Sequence, residues 1–238
     1  MPKRITSTVV WLVFVVFALA GPLQARDPQS GVYLPAGSVD AAALIGPPPA
    51  VGSTKFEQEM TVVLWLQRTR TPEQIAFVRK TLDLEEFAPL VAVPLVGVDG
   101  IALKQTIDGA IDEVRADYDA LKAVFDLPRP YQVNDAVHPV TDPRPVTSYP
   151  SGHAIRATVY ARLLSEIFPE QKQALMELAQ QIGYGRVIAG VHYPTDILAG
   201  MKLGHAYADV IVKQAAFKQA VERIGGKLPP STGNSDQP

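Results

Sequence analysis

Apolar residues recur at steps of three and four over residues 101–125: Leu103, Ile107, Ile111, Val114, Tyr118, Leu121 and Phe125. That spacing places them on one face of a long α-helix, which Pro128 and Pro130 end. Helical spacing also covers residues 154–168, stopped by Pro169, and residues 170–184. Pro194 opens a last long helix with Ile197, Met201, Ala208, Val212 and Ala215 on one side. Thr54 and Glu57 have capping-box spacing and predict a helix start at Thr54. Thr71-Pro72-Glu73-Gln74 predicts another, with Thr71 as cap and Pro72 in the first turn, followed by Ile75, Val78 and Leu82 at helical spacing. Gly200 and Gly204, four apart on the last helix, read as a close helix contact. The two-residue period of strands is nearly absent, so the pattern predicts an all-α fold.

Punctuation sets the organisation. Residues 27–52 are rich in Pro and Gly and read as an irregular arm over the domain, and a Pro-rich loop crosses 131–149. Residues 226–238 read as a disordered tail. Lys3 and Arg4 precede an apolar run at 9–20 that is short for a membrane span. Residues 1–25 therefore read as a signal peptide, cleaved after Ala20 or Ala25, with an uncleaved anchor as the alternative. Residues 26–225 are then a single helical domain, periplasmic or secreted. Residues 87–98 are apolar but are interrupted by Pro89 and Pro94, so no membrane insertion is expected once the signal is removed.

Composition narrows the chemistry. Cysteine is absent, which excludes disulfides, thiolate nucleophiles and cysteine metal sites. The four histidines, His138, His153, His192 and His205, leave little for metal-rich chemistry. A net charge of −2 gives no basic surface for a nucleic acid.

Three segments carry chemistry. Lys122 flanks the apolar stripe, where a lysine ordinarily runs its stem along buried surface to water, and Arg129 sits between two prolines. Pro150-Ser151-Gly152-His153 directly precedes a helix. Ser151 suits the cap, Gly152 lets a ligand approach, and the free N–H groups with the helix dipole favour an anion. The plainer reading is a capped helix with a surface histidine. In the third segment Arg186 precedes His192, and Asp196 follows four residues later in a helical first turn opened by Pro194. A carboxylate there fixes one imidazole nitrogen and frees the other, or merely complements the helix dipole. Together these supply two histidines, one aspartate, three cations and a helix N-terminus, a set suited to phosphoryl transfer.

The pattern Lys122-(six residues)-Arg129-Pro130, Pro150-Ser151-Gly152-His153 and Arg186-(five residues)-His192-(three residues)-Asp196 resembles the signature of the type 2 phosphatidic acid phosphatase superfamily. Within it, the chain is most similar to soluble, periplasmic, bacterial class A non-specific acid phosphatases. The motifs span Lys122 to Asp196 and occur jointly and in order, which makes them specific. Gly185 departs from the pattern, which usually has serine there. The resemblance implies a helical bundle of the acid phosphatase/vanadium haloperoxidase type. It also implies phosphomonoester hydrolysis through a phosphohistidine, with small phosphorylated substrates as the partners, and leaves the oligomeric state open. His192 would attack phosphorus, Asp196 would orient it, and His153 would protonate the leaving oxygen and then activate water. Lys122, Arg129, Ser151, Gly152 and Arg186 would hold the phosphate. Three cations supply the charge stabilisation, so neither a metal nor a cofactor is implied. His138 would lie at the surface and His205 would face away from the site. His192 starting neutral and His153 starting protonated imply a bell-shaped pH profile on the acidic side of neutral.

Three rivals share parts of this pattern. A vanadium-dependent haloperoxidase uses the same cradle. A lipid phosphate or diphosphate phosphatase changes only the substrate. A non-catalytic phosphate-binding protein needs the cations but no acid–nucleophile pair.

Overall fold

The computed structural model describes residues 31–80, 82–91, 97–144 and 146–225. The expected signal segment at 1–25 and the tail at 226–238 lie outside the described residues, and 92–96 of the apolar run at 87–98 do too. Among the described residues all regular structure is helical. In chain order the helices are α1 (Ala41–Ile45), α2 (Thr54–Thr69), α3 (Pro72–Val78), α4 (Ala88–Val91), α5 (Gly97–Phe125), α6 (Pro130–Val133), α7 (Gly152–Ile167), α8 (Lys172–Ile188), α9 (Pro194–Ile211) and α10 (Ala215–Gly225). None is long and apolar enough to cross a membrane.

The stripe of α5 is the spine of the core. Leu103, Ile107, Ile111, Val114, Tyr118 and Leu121 are buried in one cluster with Ile155, Leu163 and Leu164 of α7, Leu175 of α8, Tyr207 and Ile211 of α9, and Phe217 of α10. Each large apolar side chain so buried contributes about 1.5–3 kcal/mol before the entropy of ordering it is subtracted. The arm at 31–52 is tied down at two places. The N–H groups of Val32, Tyr33 and Leu34 donate to the Glu113 carboxylate of α5 at 2.8, 2.9 and 2.6 Å. The Tyr149 hydroxyl donates to the carbonyls of Ile45 and Gly46.

Gly200 and Gly204 fulfil the packing expectation. A Cβ at Gly200 would stand 2.7 Å from the Ser151 carbonyl oxygen, and one at Gly204 would stand 2.7 Å from that of Ile155. Bare backbone on α9 is what lets it lie directly on the first turns of α7.

Several boundaries differ from the sequence pattern. Ser53, not Thr54, caps α2, because its Oγ accepts from Phe56 N–H, which places Phe56 in the core. The Thr71 cap forms as predicted, with Gln74 reaching back to the Thr71 N–H, but α3 stops at Val78, short of Leu82. The long helix begins at Gly97 rather than 101, α7 at Gly152 rather than 154, and Pro130 opens a short helix inside the predicted loop. Helix α8 runs on to Ile188, so Gly185 and Arg186 are helical residues. The last predicted helix is two, parted at residues 212–214. The break turns Phe217, Ala220 and Ile224 of α10 inward, a burial that continuous α9 geometry would not provide.

Candidate active site

Two helix starts meet at the site. The Ser151 N–H, just before α7, donates to the Asp196 carbonyl in the first turn of α9 at 3.1 Å. Asp196 is the third residue of α9, and its Oδ2 accepts from the Tyr193 N–H at 2.9 Å, closing the helix end. The same oxygen bonds His192 Nδ1 at 2.9 Å and accepts from the Ser148 hydroxyl at 2.5 Å. The helix cap and the orientation of the histidine thus use one carboxylate oxygen. All three side chains are buried, with relative exposures of 2% for His192 and 0% for Ser148 and Asp196.

The other face of His192 fixes its protonation. Arg129 Nη1 lies 3.2 Å from His192 Nε2, and a guanidinium can only donate. Nε2 therefore presents a lone pair, and Nδ1 carries the proton shared with Asp196. Burial, then Arg129, Lys122 and Arg186, hold the His192 imidazole well below its ordinary value, which favours this neutral form. Burial raises the Asp196 carboxyl, against the hydrogen bonds of Ser148 and Tyr193 and the charge of Lys122.

The backbone anchors the cations. Arg129 donates from Nε to the Val146 carbonyl and from Nη1 to that of Val191, both at 2.8 Å. Lys122 Nζ donates to the carbonyls of Pro150 at 2.7 Å and Thr147 at 3.3 Å. Burial, then Arg129, hold this lysine down to about 8. Arg186 donates to the Val78 carbonyl at 2.9 Å and to Thr141 Oγ1 at 3.2 Å, while its buried Nε has no acceptor among the described residues. His153 lies on the same wall. Burial, then Arg186 and Arg156, hold it well below its ordinary value.

Lys122, Arg129, Gly152, His153, Arg186 and His192 all line one cleft of about 1000 Å³. Ser151 does not. It is fully buried, and its Oγ accepts from the Ala154 N–H as the α7 cap. Asp196 lies behind His192 rather than on the wall. His138 is exposed and His205 half-buried, and neither lines the cleft. The sequence pattern did not single out Ser148 or the cleft arginines 79, 115, 144 and 156, and it read Tyr118 only as part of the α5 stripe. Nearness to Pro150-Ser151-Gly152-His153 was the one available signal for Ser148. Among the described residues no group of three or more His, Asp or Glu side chains gathers to hold a metal. The charged donors of this cleft are mainly cationic.

A helical bundle whose joined helix starts set a His–Asp pair against a wall of cations makes a cleft suited to an anion. Residues 101–220 match the PAP2 superfamily, and the chain belongs to that superfamily. A non-specific acid phosphatase of Salmonella typhimurium is 35% identical over 81 residues, which are 34% of this chain and 32% of that one. The matched part thus spans about a third of that relative's length. A non-specific acid phosphatase of Providencia stuartii is 24% identical over 201 residues, covering 78% of this chain and 79% of the relative. Among solved structures, a bacterial vanadium-dependent iodoperoxidase superposes with a TM-score of 0.60 at 20% identity, covering 74% of this chain and 54% of the other. That likeness shows the shared helical fold.

Proposed function

We propose that the protein is a phosphatase that hydrolyses small phosphomonoesters through a phosphohistidine on His192, without a metal ion. The observation that carries this reading is the pair of contacts on His192, Nδ1 on Asp196 at 2.9 Å and Nε2 beside Arg129 at 3.2 Å. They leave a neutral imidazole on a cationic cleft, its Nε2 lone pair held by Arg129 until a phosphoryl oxygen takes that donor over. In the proposed reaction the Nε2 lone pair attacks phosphorus and the P–O ester bond breaks. Asp196 stabilises the positive charge that the ring acquires. Lys122, Arg129 and Arg186 hold the phosphoryl oxygens, and the free Nε of Arg186 gains an acceptor. His153 gives its proton to the departing oxygen, then takes one from the water that breaks the P–N bond. In the free cleft His153 is neutral, so its proton must arrive with the substrate, whose negative charge reverses the local balance.

The test is hydrolysis of p-nitrophenyl phosphate in excess EDTA by the wild type and by His192→Ala. The reading expects activity that survives the chelator, falls by about 10³-fold or more in the variant, and yields a phosphorylated chain after alkaline quenching. Unchanged activity in His192→Ala would overturn the nucleophile, and loss in EDTA would overturn metal independence. No hydrolysis from about pH 4 to about pH 8, with halide oxidation after adding vanadate and peroxide, would make the protein a haloperoxidase instead.

A further inference from the structure

The cleft holds more positive charge than one phosphoryl group requires. Beyond Lys122, Arg129 and Arg186, its wall includes Arg115, Arg144 and Arg156, against only two carboxylates, Asp119 and Asp142. None of these three arginines forms an ion pair with a described carboxylate. The chain as a whole carries a net charge of −2, so this concentration is local.

Two of these three arginines are ordered along two helices, Arg115 on α5 and Arg156 on α7. Lys122 of α5 bonds the Pro150 carbonyl, just before α7. One turn back on α5, the Tyr118 ring lies against Gly152, with its hydroxyl 3.0 Å from where a Cβ would stand. One turn further back, Arg115 reaches the level of Arg156, which is i+4 from Gly152. The helices therefore run antiparallel, and the Arg115–Arg156 level stands about one helical turn, roughly 5 Å, beyond His153. Arg156 spends only Nε on the protein, donating to the Gly152 carbonyl at 3.3 Å. Its two terminal amino groups have no acceptor among the described residues. Mutual repulsion shows in the guanidinium itself. Burial first, and Arg115 and Arg144 further, lower it below its ordinary value, against the pull of Tyr118.

We infer that Arg115 and Arg156 form a second anion subsite that binds another phosphoryl group of the substrate, next to the one that His192 attacks. This rests on the phosphatase reading for the identity of the first group, but the binding geometry stands independently of turnover. The substrates it selects carry two phosphoryl groups, either joined as a diphosphate ester or separated as a bisphosphate.

The experiment is calorimetric binding of three non-hydrolysable probes: methylphosphonate, methylenediphosphonate and propane-1,3-bisphosphonate. They are titrated into wild type, Arg115→Gln, and Arg115→Gln with Arg156→Gln. The wild type should bind at least one bisphosphonate about tenfold or more tightly than methylphosphonate, and the double variant should lose that advantage. Arg115 is exposed, so the single variant keeps the test open if the double variant does not fold, and should lose part of the advantage. Preference for the methylene probe marks diphosphate esters, and preference for the propane probe marks bisphosphates. Equal binding of all three probes by the wild type, or an advantage that persists in the variants, would overturn the subsite. A bisphosphonate advantage without turnover of p-nitrophenyl phosphate would keep the subsite and remove the phosphatase reading. Turnover without the advantage would do the reverse.

Discussion

Ser148 Oγ donates to Asp196 Oδ2 at 2.5 Å, and this makes Ser148 the third donor on the oxygen that orients His192. Ser148 also lies 3.4 Å from His192 Nδ1 and is fully buried. Ser148 does not itself line the cleft and sits behind His192, so its effect reaches the reaction through the carboxylate and the ring. Ser148→Ala is expected to lower kcat about tenfold with KM changed less than about twofold, since the ring loses orientation rather than phosphate contacts. It should also lower stability by about 1–3 kcal/mol, because a buried charged oxygen loses a donor. Steady-state kinetics and urea denaturation measure both. A rise in KM at constant kcat would contradict the positioning role.

Lys122 supplies a pH dependence on the alkaline side. Its ammonium is held down to about 8, so the free protein loses this charge as pH rises through about 8. Competitive inhibition by inorganic phosphate should weaken over that interval, approaching tenfold per pH unit. Lys122→Met should bind phosphate more weakly and show no such step. The same group has a stability consequence of known sign. A lysine depressed in the folded state is charged in the unfolded chain up to about 10.4. Between the two values the unfolded state therefore binds the extra proton, and folding gains as pH rises. Inhibition constants and melting temperatures measured across this range separate the two effects.

His153 gives a complementary signature in the acid range. It is neutral in the free cleft because burial, Arg186 and Arg156 disfavour its charge. A phosphate dianion offsets those cations, so binding should draw a proton onto His153. Titrations of sulfate, a dianion that exchanges no proton of its own near about pH 7, in buffers of different ionisation enthalpy should show net proton uptake. His153→Gln should lose most of it. For stability the sign is the same as that of Lys122, in a lower pH window. The unfolded chain takes a proton at His153 below about 6.5 and the folded chain does not, so acidification through this range favours unfolding. Phosphate should reduce that acid sensitivity in the wild type and less so in His153→Gln.

The helices and the motif residues were legible in the chain because each has a local cause. The α5 stripe repeats with the helical period, and Thr71 and Gln74 cap α3 within one turn. His192 and Asp196 are four apart at a helix start, so their bond needs no distant partner. Other features depend on the packed fold. Arg115, Arg144 and Arg156 come from α5, the loop before α7, and α7 itself, and only the cleft brings them together. The α9–α10 break has neither Pro nor Gly at 212–214 to announce it and follows from the burial of Phe217. Ser53 and Thr54 are both capping residues, and the choice between them is made by where Phe56 packs.

Gly185 records another such dependence. The superfamily pattern usually has serine at this position, and a Cβ on Gly185 would stand 2.9 Å from Val78 Cγ1. Helix α3 therefore approaches α8 too closely for a side chain. Val78 is buried and β-branched, so it has little freedom to turn aside. Its carbonyl accepts from Arg186, so displacing α3 also disturbs the arginine on the cleft wall. Gly185→Ser is expected to cost about 1–3 kcal/mol by overpacking and to weaken phosphate binding through Arg186. Val78→Ala removes the obstructing methyl groups. The double variant Val78→Ala/Gly185→Ser should then be more stable than the sum of the single effects predicts, with a coupling of about 1 kcal/mol or more. Urea denaturation of the four proteins closes this cycle. Additive effects would mean that the serine fits beside Val78, and that this contact is not what keeps position 185 bare.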